Sequence, residues 1–197
     1  MGFAHCLGVV TVGVAGSAVL FAAPATAAGS DTPSAPAGDS RLSGPGVDLS
    51  VSIPTGWHQI SDTADPQLLQ MVFPNNCSEK VRCATAMARL LSTQAANAQV
   101  GAQAGEQAVA GQQGIEGVTV TSEGPLQIAG RNGYQVRFTF SSGKAKFQAA
   151  TAAVETGLAS AGTVPTSLIF VTVSDLVGAP PASVIDQIVG SAQLTAK

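Results

Sequence analysis

The chain has 197 residues, of which 45% are hydrophobic and only 11% charged, with a formal net charge of −3. That charge content is less than half the ~25% usual for soluble domains, so Ser, Thr, Gln, Gly and Ala must cover most of the surface. With nine Lys and Arg against twelve Asp and Glu there is no basic field to neutralise phosphates, and nucleic acid falls outside the expected partners.

Residues 7–23, LGVVTVGVAGSAVLFAA, are uncharged and mostly apolar, and Pro24 and Ala25-Thr26-Ala27 follow them. The A-x-A triplet after an apolar run predicts a signal peptide over 1–27. The run is shorter than the about 20 residues of a spanning helix, and small residues rather than Lys or Arg follow it, so cleavage is expected and no stable membrane span after processing. One departure from the pattern is an n-region whose only positive groups are the α-amino group and His5. Cys6 precedes the apolar run and cannot serve as the acylated cysteine of a lipoprotein. The expected product is secreted or cell-wall associated.

Residues 28–46 are dense in Pro, Gly, Ser and Ala, with Leu42 almost alone as a large apolar side chain. A segment so poor in burial cannot offset its ordering entropy, and it is predicted to be a disordered linker. Residues 47–197 suit one domain.

Val47, Leu49, Val51 and Ile53 alternate with Asp48, Ser50 and Ser52, the period of a half-buried strand. Pro54 and Thr55-Gly56 end it in a turn. Next come Trp57, the one tryptophan, and His58, the one histidine beyond the leader. Trp57 admits two readings: an indole that closes the core at the sheet rim, or a platform for a sugar ring or acyl chain. No motif assigns His58 a Ser, Cys or carboxylate partner, so it is a candidate ligand contact beside Trp57 and not a candidate base.

Residues 67–73, QLLQMVF, read as strand or helical turn, and Pro74 and Asn75-Asn76 terminate them. Cys77 and Cys83 in NNCSEKVRC form an even, closely spaced pair, read in an exported chain as a local disulfide. Closing so small a loop stabilises by about 2 kcal/mol on the chain-entropy model. No His or Cys lies nearby to complete a metal site. Residues 84–91 suit a strand. From Thr93 to Gln113 the chain is rich in Ala and Gln, with Val100 and Val109 as its large apolar residues and Gly101 and Gly105 between them. It is predicted to be a weakly anchored, glycine-interrupted helix, able to cover or uncover the rim near Trp57.

Val118 and Val120, then Leu126 and Ile128, then Tyr134, Val136, Phe138 and Phe140 alternate with polar residues. Turns are expected at Gly124-Pro125 and at Asn132-Gly133, which gives an antiparallel meander with one covered face. Residues 144–158 are Ala-rich and read either way. Residues 167–175, SLIFVTVSD, are apolar on both faces and read as a central strand. After Pro180-Pro181, the residues Val184, Ile185, Ile188 and Val189 recur at helical spacing.

A strand ending in I-P-x-G-W (Asp48 to Trp57), a meander over Asn132 to Phe140, a strong strand at Leu168 to Ser174 and a short helix leading to S-x-x-L (Val184 to Leu194) resemble the Mog1/PsbP-like domains. Within that group the similarity is to the LpqN/LpqT-type exported proteins of mycobacteria and related actinobacteria. The resemblance implies an α+β fold, an α/β/α sandwich around an antiparallel sheet, located outside the cytoplasmic membrane. It further implies association with the cell envelope, with an envelope sugar or glycolipid, or an envelope protein such as lipid-export machinery, as partner. It carries over no catalytic motif. No cysteine stands at the predicted cleavage site, which departs from the lipoprotein members.

Nor does the sequence hold a G-x-S-x-G, an H-E-x-x-H or a Gly-rich phosphate loop, so no catalytic residue, metal or cofactor is assigned. The leading reading is a non-enzymatic, exported binding or accessory domain. The alternatives are a secreted glycan hydrolase built on paired carboxylates, and a purely structural or antigenic surface protein. Two outcomes follow for material recovered from culture medium: mass spectrometry finds the N-terminus at Ala28 or within a residue or two, and Cys77 and Cys83 resist alkylation until a reductant is added.

Overall fold

The computed structural model describes residues 40–44, 46–61, 69–74 and 84–195. The predicted leader, residues 28–39 of the linker and the Cys77–Cys83 pair lie outside them.

The chain order is β1 (Arg41–Leu42), β2 (Leu49–Ser52), β3 (His58–Ser61), β4 (Leu69–Phe73), β5 (Ala86–Ala95), α1 (Ala98–Ala110), β6 (Ile115–Ile128), β7 (Arg131–Ser142), β8 (Ala145–Glu155), β9 (Val164–Ser174), α2 (Val184–Gly190) and β10 (Gln193–Leu194). Seven strands form one antiparallel sheet in the order β3-β4-β5-β9-β8-β7-β6, and β1-β2-β10 form a second, small one. As its two-faced apolar run predicts, β9 is the central strand. The ambiguous runs at 67–73 and 144–158 resolve into the strands β4 and β8. The fold is α+β, with helices on both faces of the large sheet.

Period-2 alternation separates the two faces. On β8, Ala149 and Ala153 join a core with Ala98, Ala102 and Val109 of α1 and with Val136, Phe138 and Phe140 of β7. Ala150, Ala152 and Val154 point the other way, into a core with Ile169, Val171 and Val173 of β9 and with Val184, Ile185, Ile188 and Val189 of α2. Leu42, Leu49 and Val51 of the small sheet complete that second core. The C-terminal helix thus buries the stripe its spacing predicts.

Three sequence expectations are corrected here. The linker does not run through residue 46, since Arg41 and Leu42 pair with Ser52 and Val51 and the Leu42 side chain is fully buried. One large apolar residue, docked on an existing strand, suffices to order the end of a tail. Second, Gly124-Pro125 is not a turn, because β6 runs through it with Pro125 opposite Tyr134. As an edge strand, β6 can leave one side of its backbone unpaired, where a missing N–H costs nothing. Two register shifts, between Glu116 and Thr119 and between Val120 and Ser122, interrupt its ladder. Third, the hairpin from β6 to β7 turns three residues before Asn132-Gly133, at Ala129 and Gly130 with φ of 51° and 73°.

The helix α1 differs most from expectation. Asn97 caps it by accepting from Val100 N–H at 2.9 Å, and Glu155 at the end of β8 accepts from Ala98 N–H at 3.1 Å. That carboxylate also complements the positive end of the helix dipole. Gly101 and Gly105 do not interrupt the helix but mark where it touches the sheet. A Cβ on Gly101 would lie 3.1 Å from Thr166 Cγ2, and one on Gly105 would lie 2.5 Å from Thr151 Cγ2. Ala in place of Gly normally gains about 1 kcal/mol in a helix. Here Gly105→Ala should instead destabilise by about 1–3 kcal/mol through overpacking, measured by urea unfolding, and Thr151→Ala added to it should recover most of the loss.

Candidate functional site

Trp57 is 6% exposed and belongs to the core on the α2 face. Its ring lies 6.1 Å from that of Phe73, tilted by 49°, and the turn before it is closed by Trp57 N–H donating to Pro54 O at 3.1 Å. Gly56 has φ of +82°, and a Cβ there would come within 2.8 Å of Phe73, so the turn presses against the same aromatic pair. The helix α1 lies in the opposite core. The sheet therefore separates Trp57 from the segment expected to gate it, and of the two readings the structure favours the core-closing one.

His58 opens β3 opposite Val72 and points to the other face. Ile60, Val72, Ala84 and Met87 form a small apolar cluster on that side. The His58 ring is half-buried and its Nδ1 is enclosed without a hydrogen-bond partner among the described residues. Trp57 and His58 are neighbours in sequence whose side chains part to opposite faces, so they do not form one site.

A different site emerges at the end of the sheet where β7, β8 and β9 project past α2. Thr139 and Ser141 there are paired across to Gln148 and Lys146, with the buried Val173 and then Asp175 beyond them. Together with Gly117 of β6 they line an open trough with a cavity volume of about 460 Å³. The floor is stiffened from beneath, because Phe140 and Phe147 face each other across the ladder with rings stacked at 4.9 Å and 9°. Its far wall is tied down by two hydrogen bonds: Lys146 N–H donates to Asp175 Oδ1 at 3.0 Å and Asp175 N–H to Lys146 O at 2.9 Å. Beside the trough, Arg137 pairs with Asp186 of α2.

Chemically the trough lining holds three hydroxyls, one carboxamide, one ammonium and one carboxylate beside Val173, Phe140 and Phe147. Donors and acceptors alternate on a rigid surface, an arrangement suited to a polyhydroxyl ligand. Alternation along β7 places Gln135, Arg137 and Thr139 opposite its apolar face, with Arg137 paired to Asp186 of α2 and Thr139 lining the trough; spacing alone gives no sign of where α2 stops. Among the described residues no group of three or more His, Cys, Asp and Glu is placed to hold a metal ion, and no helix is long and apolar enough to cross a membrane.

No family model matches the sequence, and no curated protein does. Among solved structures, the solution structure of cyanobacterial PsbP (CyanoP) from Synechocystis is similar with a TM-score of 0.50 at 13% identity, over 85% of this chain and 98% of that one. The crystal structure of LpqN, involved in cell envelope biogenesis of Mycobacterium tuberculosis, gives a TM-score of 0.48 at 12% identity, over 75% of this chain and 83% of that one. At 13% identity what the likeness to CyanoP shows is the fold alone, and it is the PsbP-like fold that the sequence resemblance implies.

If Trp57 closes the core, Trp57→Ala should destabilise by about 3–5 kcal/mol, and the emission of native Trp57 should stay unchanged when envelope sugars are titrated. Calorimetry and fluorescence check the two halves separately.

Proposed function

We propose that this chain is an exported, non-enzymatic binding or accessory domain of the cell envelope, and that the trough between β7, β8 and β9 takes a sugar or the head group of a glycolipid. The observation that carries this reading is the trough itself. Thr139, Ser141, Gln148 and Lys146 present side-chain donors and acceptors on one rigid, uncovered sheet face. A hydroxyl-rich ligand must exchange its water hydrogen bonds for equally good ones, and preformed groups on paired strands supply them with little ordering cost.

Asp175 is the carboxylate on the trough wall, and its Oδ1 already accepts from a backbone N–H. That engagement supports a positioning role for it over proton transfer. The leader-like N-terminus and the Cys77–Cys83 pair support export, and the linker ahead of β1 suits a domain held at a distance from a surface or from an envelope protein partner.

The test is a thermal-shift screen of the exported chain against trehalose, other envelope sugars and glycolipids. A ligand present at a hundred times its Kd stabilises by about 2.7 kcal/mol. The paired substitution Thr139→Val and Gln148→Ala should weaken binding by about ten-fold or more while leaving the unliganded melting temperature within a few degrees, because each residue gives up one or two exposed hydrogen bonds. Absence of any response points to the structural or antigenic display role, and turnover of a glycan points to the hydrolase.

A further inference from the structure

Next to the trough the chain leaves β9 through a wholly apolar connection. From Leu176 to Ala182 the sequence is LVGAPPA, seven residues without one side chain able to hydrogen-bond. It is not folded inward, as Leu176 is 38% exposed and Val177 fully so. It is also held in shape. Ala179 N–H donates to Leu176 O at 3.0 Å and Val184 N–H to Pro181 O at 3.0 Å, Gly178 takes a φ of +86°, and two prolines lead into α2. Two aliphatic side chains are thus displayed in water at the tip of a rigid turn, where their exposure is a standing cost.

The neighbouring β7–β8 hairpin reaches the same end. Two hydrogen bonds between Asp175 and Lys146, one to the Asp175 carboxylate and one between backbones, join the two connections, and the hairpin carries Lys144 and Lys146, both exposed. Of the acidic groups nearby, Asp175 turns its carboxylate back onto a backbone N–H, and Glu116 lies opposite Ser141 on β6.

We infer that Leu176 and Val177 dip into the surface of a lipid bilayer, with Lys144 and Lys146 placed to meet anionic lipid phosphates beside them. A protein partner is the weaker match. Stable protein interfaces bury about 800 Å² per side around aromatic or arginine anchors, whereas this is a narrow convex tip of two aliphatic residues. A lipid surface accepts such a tip without needing a complementary pocket. The contact is peripheral and reversible, since so few side chains enter the apolar layer. It shares Lys146 with the trough but does not rest on the sugar-binding reading, and the same orientation would turn the trough towards the head groups.

The exported chain is tested by co-sedimentation with vesicles of phosphatidylcholine, with and without phosphatidylglycerol. Binding should be stronger on the anionic vesicles and fall with salt. Val177→Asp should weaken it by roughly ten-fold or more with no change in melting temperature, and Lys144→Glu should weaken it on the anionic vesicles alone. Thr139→Val with Gln148→Ala should bind vesicles as the parent does, which separates this inference from the sugar-binding one. The inference is overturned if the parent ignores both vesicles, or if Val177→Asp binds them unchanged. It is equally overturned if the tip instead drives a concentration-dependent association of copies that Val177→Asp abolishes.

Discussion

The architecture depends on how little volume β8 occupies. Ala149, Ala150, Ala152 and Ala153 occupy both of its faces in succession, so neither helix meets a large side chain there. On one side α1 answers with Gly101 and Gly105 and settles its backbone against the side chains of Thr166, Ala153 and Thr151. On the other α2 fills the gap with Val184, Ile185, Ile188 and Val189. Bulk is displaced to the flanking strands, to Phe138 and Phe140 on β7 and to Leu168 and Ile169 on β9. The alternation of large and small across neighbouring strands gives interdigitated packing, with the apolar term supplied by the neighbours.

A second constraint fixes the small sheet to that core. Arg41 donates to Ser50 Oγ at 3.0 Å, to Ser52 Oγ at 3.1 Å and to Ser50 O at 3.0 Å, and its remaining reach ends on Ser191 O at 2.7 Å. Ser191 caps the C-terminal end of α2, where unsatisfied carbonyls and the helix dipole favour a cation. Ser191 Oγ in turn accepts from Ser52 N–H at 2.9 Å. One guanidinium therefore joins β1, β2 and the end of α2, and the planar fork that allows it is particular to arginine.

The legible parts of the fold were those where periodicity and burial agree. The strand before Pro54, the apolar face of β7, the central position of β9 and the stripe on α2 all follow from spacing alone. The illegible parts were decided by partners distant in sequence. Gly105 reads as a helix breaker until Thr151 is known to lie beneath it, Leu42 reads as a stray residue in a tail until Val51 pairs with it, and Pro125 reads as a turn until β6 is known to be an edge. The same holds for function. Trp57 drew attention for its rarity, yet Phe73 and the core claim it, while the trough is built from Thr, Ser, Gln and Lys, residue types too common to stand out in a sequence.

The interrupted ladder of β6 has a consequence for life in a crowded compartment. A long, mostly exposed terminal strand is a template on which another chain can crystallise its own backbone, and proteins commonly discourage this with rows of lysine. A chain with 11% charged residues has few to spare. Here the protection is geometric: two bulges break the strand's straight run near its start, and Pro125 removes a donor near its end. Colloidal safety is written into the backbone, which leaves the surface free to remain nearly neutral.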